Sequence, residues 1–340
     1  MAEVALALIL VAAWWTWPAP CSPDSNLHAK RALESFKNED APAARPLAPL
    51  VPKLDNIVVP PCSARAQGDN GWGTVYSTGF GPAGNDPTSP NAMRRLGVSR
   101  GEALAFIAGG ADTIVLPCPF GEVVGVGATG ARRFLCGLKQ LSEDAPLFSF
   151  GSNGDFRFED AVRELAPRIP VVVFDPTLDQ TVMSHRAPDE LTKALDHARR
   201  SGYTFVPMGI GYQKGWLSLS HQRGKELFCG KVDTLPALLA RTPHSTIGVL
   251  KIDASGEFEV FAHLEAQAFD LATKVGILLL EVHLYHPQED GSAANCCYGP
   301  DDWAAMAGQL RQAGFVLVGR ELGDCCAEFS WVNPAYPGFL

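Results

Sequence analysis

The sequence predicts an α/β fold: a mostly parallel seven-stranded sheet that finishes on a terminal antiparallel strand. Three observations predict it. From about residue 147 onward, apolar runs of strand length alternate with segments of helical period. Two of the runs, VVVF and ILLL, are apolar on both faces, as a parallel sheet covered by helices requires. The last two, FVLVG and CAEFSWV, are joined through VGRELGDC, which is too short for a crossover, so they pair antiparallel. Strand–helix alternation of this kind is Rossmann-like.

Each element has its own signal. LFSF opens the alternation and ends in Gly151. The next segment, SNGDFRFEDAVRELA, repeats Phe156, Val162 and Leu165 at helical spacing. IPVVVF follows as a strand, then PDELTKALDHARRSG as a helix closed by Gly202, then YTFVPMG as a strand. After a polar loop come the helix DTLPALLAR, the strand TIGVLKI, the helix GEFEVFAHLEAQAF and the strand VGILLLEVHL. PDDWAAMAGQLRQAG, closed by Gly314, is the last helix before the two final strands.

The chain of 340 residues therefore divides into four parts. Residues 1–21 contain the uncharged run VALALILVAAWWTW at 4–17, which is shorter than a bilayer span and reads as a signal peptide or signal anchor. It is the one expected point of membrane contact. Residues 22–90 are a linker rich in proline and glycine, largely irregular. Residues 91–146 form an N-terminal extension or cap, because their apolar pieces ALAFIA and TIVLP need something to cover. Residues 147–340 form the α/β domain. The first segment places the chain in the secretory pathway: lumenal, membrane-anchored or secreted.

The formal net charge is −9, and basic residues are scattered as short pairs such as Arg132-Arg133. Phosphate neutralisation needs concentrated positive charge, so a nucleic-acid substrate is disfavoured. None of the nine cysteines forms a C-x-x-C pair, which removes a zinc ribbon. The doublets Cys296-Cys297 and Cys325-Cys326 bridge two loops if the compartment is oxidising.

Four places can do chemistry. The turn Gly151-Ser152-Asn153-Gly154 follows the first strand and precedes a helix, where glycine lets the backbone approach a ligand. It lacks the third glycine and the spacing of a dinucleotide loop, which suits a cofactor without phosphates there. Asp175, followed by Pro176, ends the second strand 24 positions after Gly151, close to the roughly 20 expected of an acid that binds ribose hydroxyls, and it can also open an Asp-Pro turn. Asp253 ends the strand LKID, either facing a ligand or capping the next helix. Glu281 and His283 share one face of the strand LLLEVHL, as a catalytic pair or a satisfied buried pair. Asp253, Glu281 and His283 are the general-base candidates toward a hydroxyl. The same three are a minor alternative for a divalent metal, but two of them share one strand and the spacing is not diagnostic, so no metal site is expected.

Taken together, SFGSNGDFRFEDAV, VVVFDPT, FVPMGIG, LPALLARTPHSTIGVLKIDASGEFEVF, LLLEVHL and LRQAGFVLV…CAEFSWVNP resemble the FkbM-type methyltransferases and their methyltransferase-like relatives. The resemblance runs from about Arg132 to Pro334 in matching order. It implies a class I S-adenosylmethionine-dependent methyltransferase acting on oxygen, with S-adenosyl-L-methionine as cofactor and a small-molecule or glycan hydroxyl as acceptor. It places the cofactor loop on Gly151, Ser152, Asn153 and Gly154, the ribose acid on Asp175, and the K-I-D-x-E-G element on Lys251, Ile252 and Asp253. Two positions depart from the family: Ser149 stands where an acid is usual, and Ser255 replaces the element's glutamate. The rival readings are a catalytically degenerate binding protein of the same fold, a lumenal glycosyltransferase and a nicotinamide-dependent oxidoreductase.

Overall fold

Strands and helices alternate along the chain as the sequence predicts, and the register shows how. The structure is a computed structural model; it describes residues 75–77, 114–127, 132–178, 188–220, 226–254, 257–282, 300–322 and 326–340. All belong to one unit, Pro49–Leu340. The apolar run at 4–17, His283, Ser255 and the doublet Cys296-Cys297 lie outside the described residues. Among the described residues no helix is long and apolar enough to cross a membrane.

In chain order the strands and helices are β1 (Val75–Ser77), β2 (Val123–Val126), β3 (Arg133–Cys136), β4 (Leu147–Phe150), α1 (Arg157–Leu165), β5 (Val171–Phe174), α2 (Pro188–Arg200), β6 (Thr204–Val206) and β7 (Gly209–Ile210). They continue with β8 (Gly215–Ser220), β9 (Glu226–Asp233), α3 (Leu235–Ala240), β10 (Ile247–Ile252), α4 (Glu257–Leu264), α5 (Leu271–Lys274), β11 (Val275–Val282), α6 (Pro300–Gln312), β12 (Val316–Leu322) and β13 (Ala327–Val332).

The main sheet has the order β12-β13-β11-β10-β4-β5-β6. Strands β11, β10, β4, β5 and β6 pair parallel. The last strand, β13, is inserted antiparallel between β11 and β12. This is the class I methyltransferase variant of the Rossmann-like fold, with the antiparallel finish read from the short final connection.

The period-two alternation explains why both faces are covered. On β5, Val172 and Phe174 face one core while Val171 and Val173 face the other. On β11, Leu278 and Leu280 face the first and Ile277 and Leu279 the second. Helices α3, α4 and α6 close the first core through Leu238, Phe261, Trp303 and Leu310. Helices α1 and α2 close the second through Phe158, Val162, Leu191 and Ala194.

Three local features differ from the sequence reading. GEFEVFAHLEAQAF is not one helix. It stops at Leu264, Ala268 takes φ 52°, and the Asp270 carboxylate caps the short α5 by accepting from the Ala272 N–H at 3.1 Å. No glycine marks this stop, so the pattern hid it. The polar loop before α3 contains the antiparallel pair β8–β9, which with β1 and β7 makes a second, four-stranded sheet. Its strand β1 lies within the stretch read as irregular linker, and its pairing partner β8 is far away in sequence.

The segment ahead of the α/β domain packs on it. Strands β2 and β3 form an antiparallel hairpin. The Phe134 N–H donates to Ser330 Oγ at 2.8 Å, and the Phe134 ring lies where a Cβ on Gly319 would be, 2.4 Å away. The Leu116 N–H donates to the Leu317 carbonyl at 2.8 Å, at the edge strand β12. A disulfide joins Cys118 to Cys136 across 18 residues. Cys326 is also disulfide-bonded. Closing a loop of about this length stabilises by about 3 kcal/mol in the chain-entropy view. The double variant Cys118→Ser/Cys136→Ser is therefore expected to lose about 3 kcal/mol of unfolding free energy, measured by chemical denaturation.

Candidate functional site

The strand order reverses at β4: β5 and β6 extend the sheet one way, β10 and β11 the other. Loops leaving β4 and β10 diverge there, and open α/β sheets bind ligands in that crevice at the carboxyl ends of the strands. The predicted loop leaves from this point. Gly151 has φ 77°, Asn153 φ 48° and Gly154 φ 71°. A Cβ on Gly151 would sit 1.8 Å from the Asp253 carbonyl oxygen, so the two loops touch backbone to backbone. Only glycine permits both the left-handed conformation and that approach.

Asp175 ends β5 beside this loop, and its carboxylate is fully engaged. One oxygen accepts from the Ser152 hydroxyl at 2.9 Å and the Asn153 N–H at 2.6 Å. The other accepts from the Thr177 N–H at 2.9 Å and the Thr177 hydroxyl at 2.6 Å. The residue is 1% exposed. Asp175 thus sits at the carboxyl end of the second strand, as the sequence places it, and serves both the loop and the Asp-Pro turn. Pro176 is buried beneath it, against the position of Gly209.

A buried ion cluster lies between the sheet and the elements covering it. Arg133, 7% exposed on β3, brings Nη2 to 2.9 Å from Asp253, 3.2 Å from Glu281 and 2.7 Å from Glu328. Lys251 on β10 is 3.3 Å from Asp253 and 3.9 Å from Glu159, and donates to the Gly151 carbonyl at 3.2 Å. The Phe158 ring lies under both cations, 5.6 Å from the Arg133 guanidinium and 5.8 Å from Lys251 Nζ. Ser149 donates its hydroxyl to Glu159, which is fully buried. Ser149, on the first strand of the alternation, thus meets an acid from α1.

The structure therefore brings Asp253 and Glu281 together, through Arg133, at the carboxyl ends of β10 and β11. Asp253 is not a simple helix cap: it bonds two cations. Glu281 is paired through Arg133, while its sequence-predicted companion His283 lies outside the described residues. Glu257, at the start of α4, is 1% exposed. Among the described residues no cluster of His, Cys, Asp and Glu is placed to hold a metal ion.

Sequence reasoning missed Arg133, Glu159 and Glu328. Glu328 had a signal: it is the one charge in the apolar strand AEFSWV, and a charge buried in a strand requires a partner. Arg133 had none, because its partners are 120, 148 and 195 residues away in sequence.

No family model matches the chain, and no curated protein matches it in sequence. Solved structures resemble it in part. A fibrillarin pre-rRNA processing protein of Methanococcus jannaschii is 11% identical, with TM-score 0.32, over 57% of this chain and 68% of that one. A precorrin-6y C5,15-methyltransferase of Geobacter metallireducens is 10% identical, with TM-score 0.29, over 57% of this chain and 85% of that one. An O-methyltransferase family protein of Burkholderia thailandensis is 14% identical, with TM-score 0.30, over 58% of this chain and 53% of that one. The fold assignment rests on the strand order and directions.

Two consequences are measurable. Gly151→Ala forces a Cβ into the Asp253 carbonyl at positive φ and is expected to cost at least about 2 kcal/mol in chemical denaturation. Lys251→Met leaves Glu159 buried without its cation and is expected to cost about 3–5 kcal/mol. In a double-mutant cycle, Glu159→Gln recovers much of that loss, because it removes the stranded charge.

Proposed function

We propose that the chain is an S-adenosylmethionine-dependent methyltransferase of FkbM type, transferring a methyl group to an oxygen of a small molecule or glycan. The observation that carries the reading is the crevice between β4 and β10, where the Gly151–Gly154 turn meets the Asp253 backbone with no room for a side chain. A backbone cradle at the switch point suits an adenosyl ligand with no phosphate at the loop. The sequence resemblance supports the same reading.

S-Adenosylmethionine, when bound, supplies a methyl group already activated by its sulfonium. The protein then has three tasks: to orient, to exclude water and to take a proton from the acceptor. Gly151, Ser152, Asn153 and Gly154 would hold the methionine and ribose portion. Asp175 would accept from the ribose hydroxyls, exchanging for them the bonds it now receives from Ser152 and Thr177. Asp253 and Glu281, whose side chains are 27% and 20% exposed, are the carboxylates on the acceptor side, with His283 as the third candidate base.

The Cys118–Cys136 disulfide supports an oxidising compartment, in line with the apolar run at 4–17 read as a signal peptide or anchor. The acidic balance argues against a nucleic-acid acceptor. A second reading, a non-catalytic member of the fold, is favoured by the full engagement of Asp175.

Calorimetry of the full chain separates the two. S-adenosylmethionine and S-adenosylhomocysteine are expected to bind and NAD is not. Asp175→Ala is expected to weaken both adenosyl ligands at least about tenfold, or ~1.4 kcal/mol. A folded protein that binds none of them overturns the methyltransferase reading and leaves the non-catalytic one.

A further inference from the structure

The sheet register aligns like charges. Glu281 on β11 pairs with Glu328 on β13, and Glu328 pairs with Glu321 on β12. Cross-strand partners share a face, and like charges directly opposite repel. Asp253 follows β10, the next strand in the sheet. Four carboxylates thus follow the carboxyl edge in spatial order. The cation that reaches three of them, through one nitrogen, is not supplied by any strand of that sheet. It is Arg133, from the β2–β3 hairpin.

We propose that Arg133 is a positioning residue: it holds Asp253 and Glu281 in place at the carboxyl edge, so that the hairpin ahead of the α/β domain completes the site. That this edge is the acceptor side rests on the methyltransferase reading. Among the described residues, the charged groups that face Arg133 are Asp253 after β10, Glu281 on β11 and Glu328 on β13, with Lys251, Glu159 and Glu321 adjoining them. The Phe158 ring closes over the guanidinium and limits water. Like-charged carboxylates side by side at a half-buried edge are favoured by a cation that touches several of them at once. The hairpin is itself tied down by the Phe134–Ser330 hydrogen bond and the Cys118–Cys136 disulfide, which fixes where Arg133 enters.

The test is thermal unfolding of the full chain, as wild type, Arg133→Gln and Arg133→Lys, at about pH 4.5 and about pH 8. Without Arg133 the like charges of the edge repel one another with less compensation, and that repulsion grows with the number of them that carry charge. The variant is then penalised little at low pH and more as pH rises. The Tm deficit of Arg133→Gln relative to wild type is expected to be at least about twofold larger at the higher pH. Arg133→Lys, which keeps the charge, is expected to recover most of it. An equal deficit at both pH values, unaffected by lysine, means that Arg133 only fills space, and overturns the proposal.

Should Arg133→Gln fail to fold at the higher pH, Asp253→Asn, Glu281→Gln and Glu328→Gln are added to it. Recovery of folding supports the proposal, and continued failure overturns it. Calorimetry of the wild type with S-adenosylhomocysteine tests the methyltransferase reading separately. Its failure would remove the name acceptor side and leave the pH result standing.

Discussion

Burying a carboxylate requires a cation or a set of donors, and this constraint organises the described part of the molecule. Asp253, Glu281 and Glu328 converge on Arg133, while Glu159 lies near Lys251. Neither half of the arrangement is tolerable alone: a carboxylate or a guanidinium left unpaired in that interior carries an uncompensated desolvation penalty. The hairpin therefore brings to the sheet a cation that three acids of its edge share.

The cofactor-side loop obeys a different constraint, that of space. Gly151 touches the Asp253 backbone, and Lys251, whose stem rises from β10, donates to the Gly151 carbonyl. The two loops that diverge at the switch point are thus linked by contact and by a hydrogen bond. Asp175 ties the same loop to the end of β5 through Ser152 and Asn153. The loop is held ready, and any ligand that takes up Asp175 exchanges bonds already made.

Much of this was legible in the residues. VVVF and ILLL, apolar on both faces, announced covered parallel strands, and the short final connection announced the antiparallel insertion of β13. Gly151, Asp175 and Asp253 were found by their place at strand ends. The break after Leu264 was not legible, because Ala268 takes a left-handed conformation without a glycine to mark it. The β8–β9 pair, GWLSLS and ELFCGKVD, was missed because its sheet is assembled from separate parts of the chain, with β1 and β7 as its neighbours.

Local pattern by itself determined the order of strands and helices, the covered character of the sheet and the positions of the loop and strand-end acids, because periodicity and turn chemistry act over a few residues. The tertiary structure decided what those acids do. Whether Asp175 faces its own loop, whether Asp253 caps a helix or bonds two cations, and which arginine balances Glu281 and Glu328 depend on groups more than a hundred residues apart or on another element altogether. Desolvation and Coulomb energy depend on distance in space and on burial, and neither quantity exists until the chain has folded.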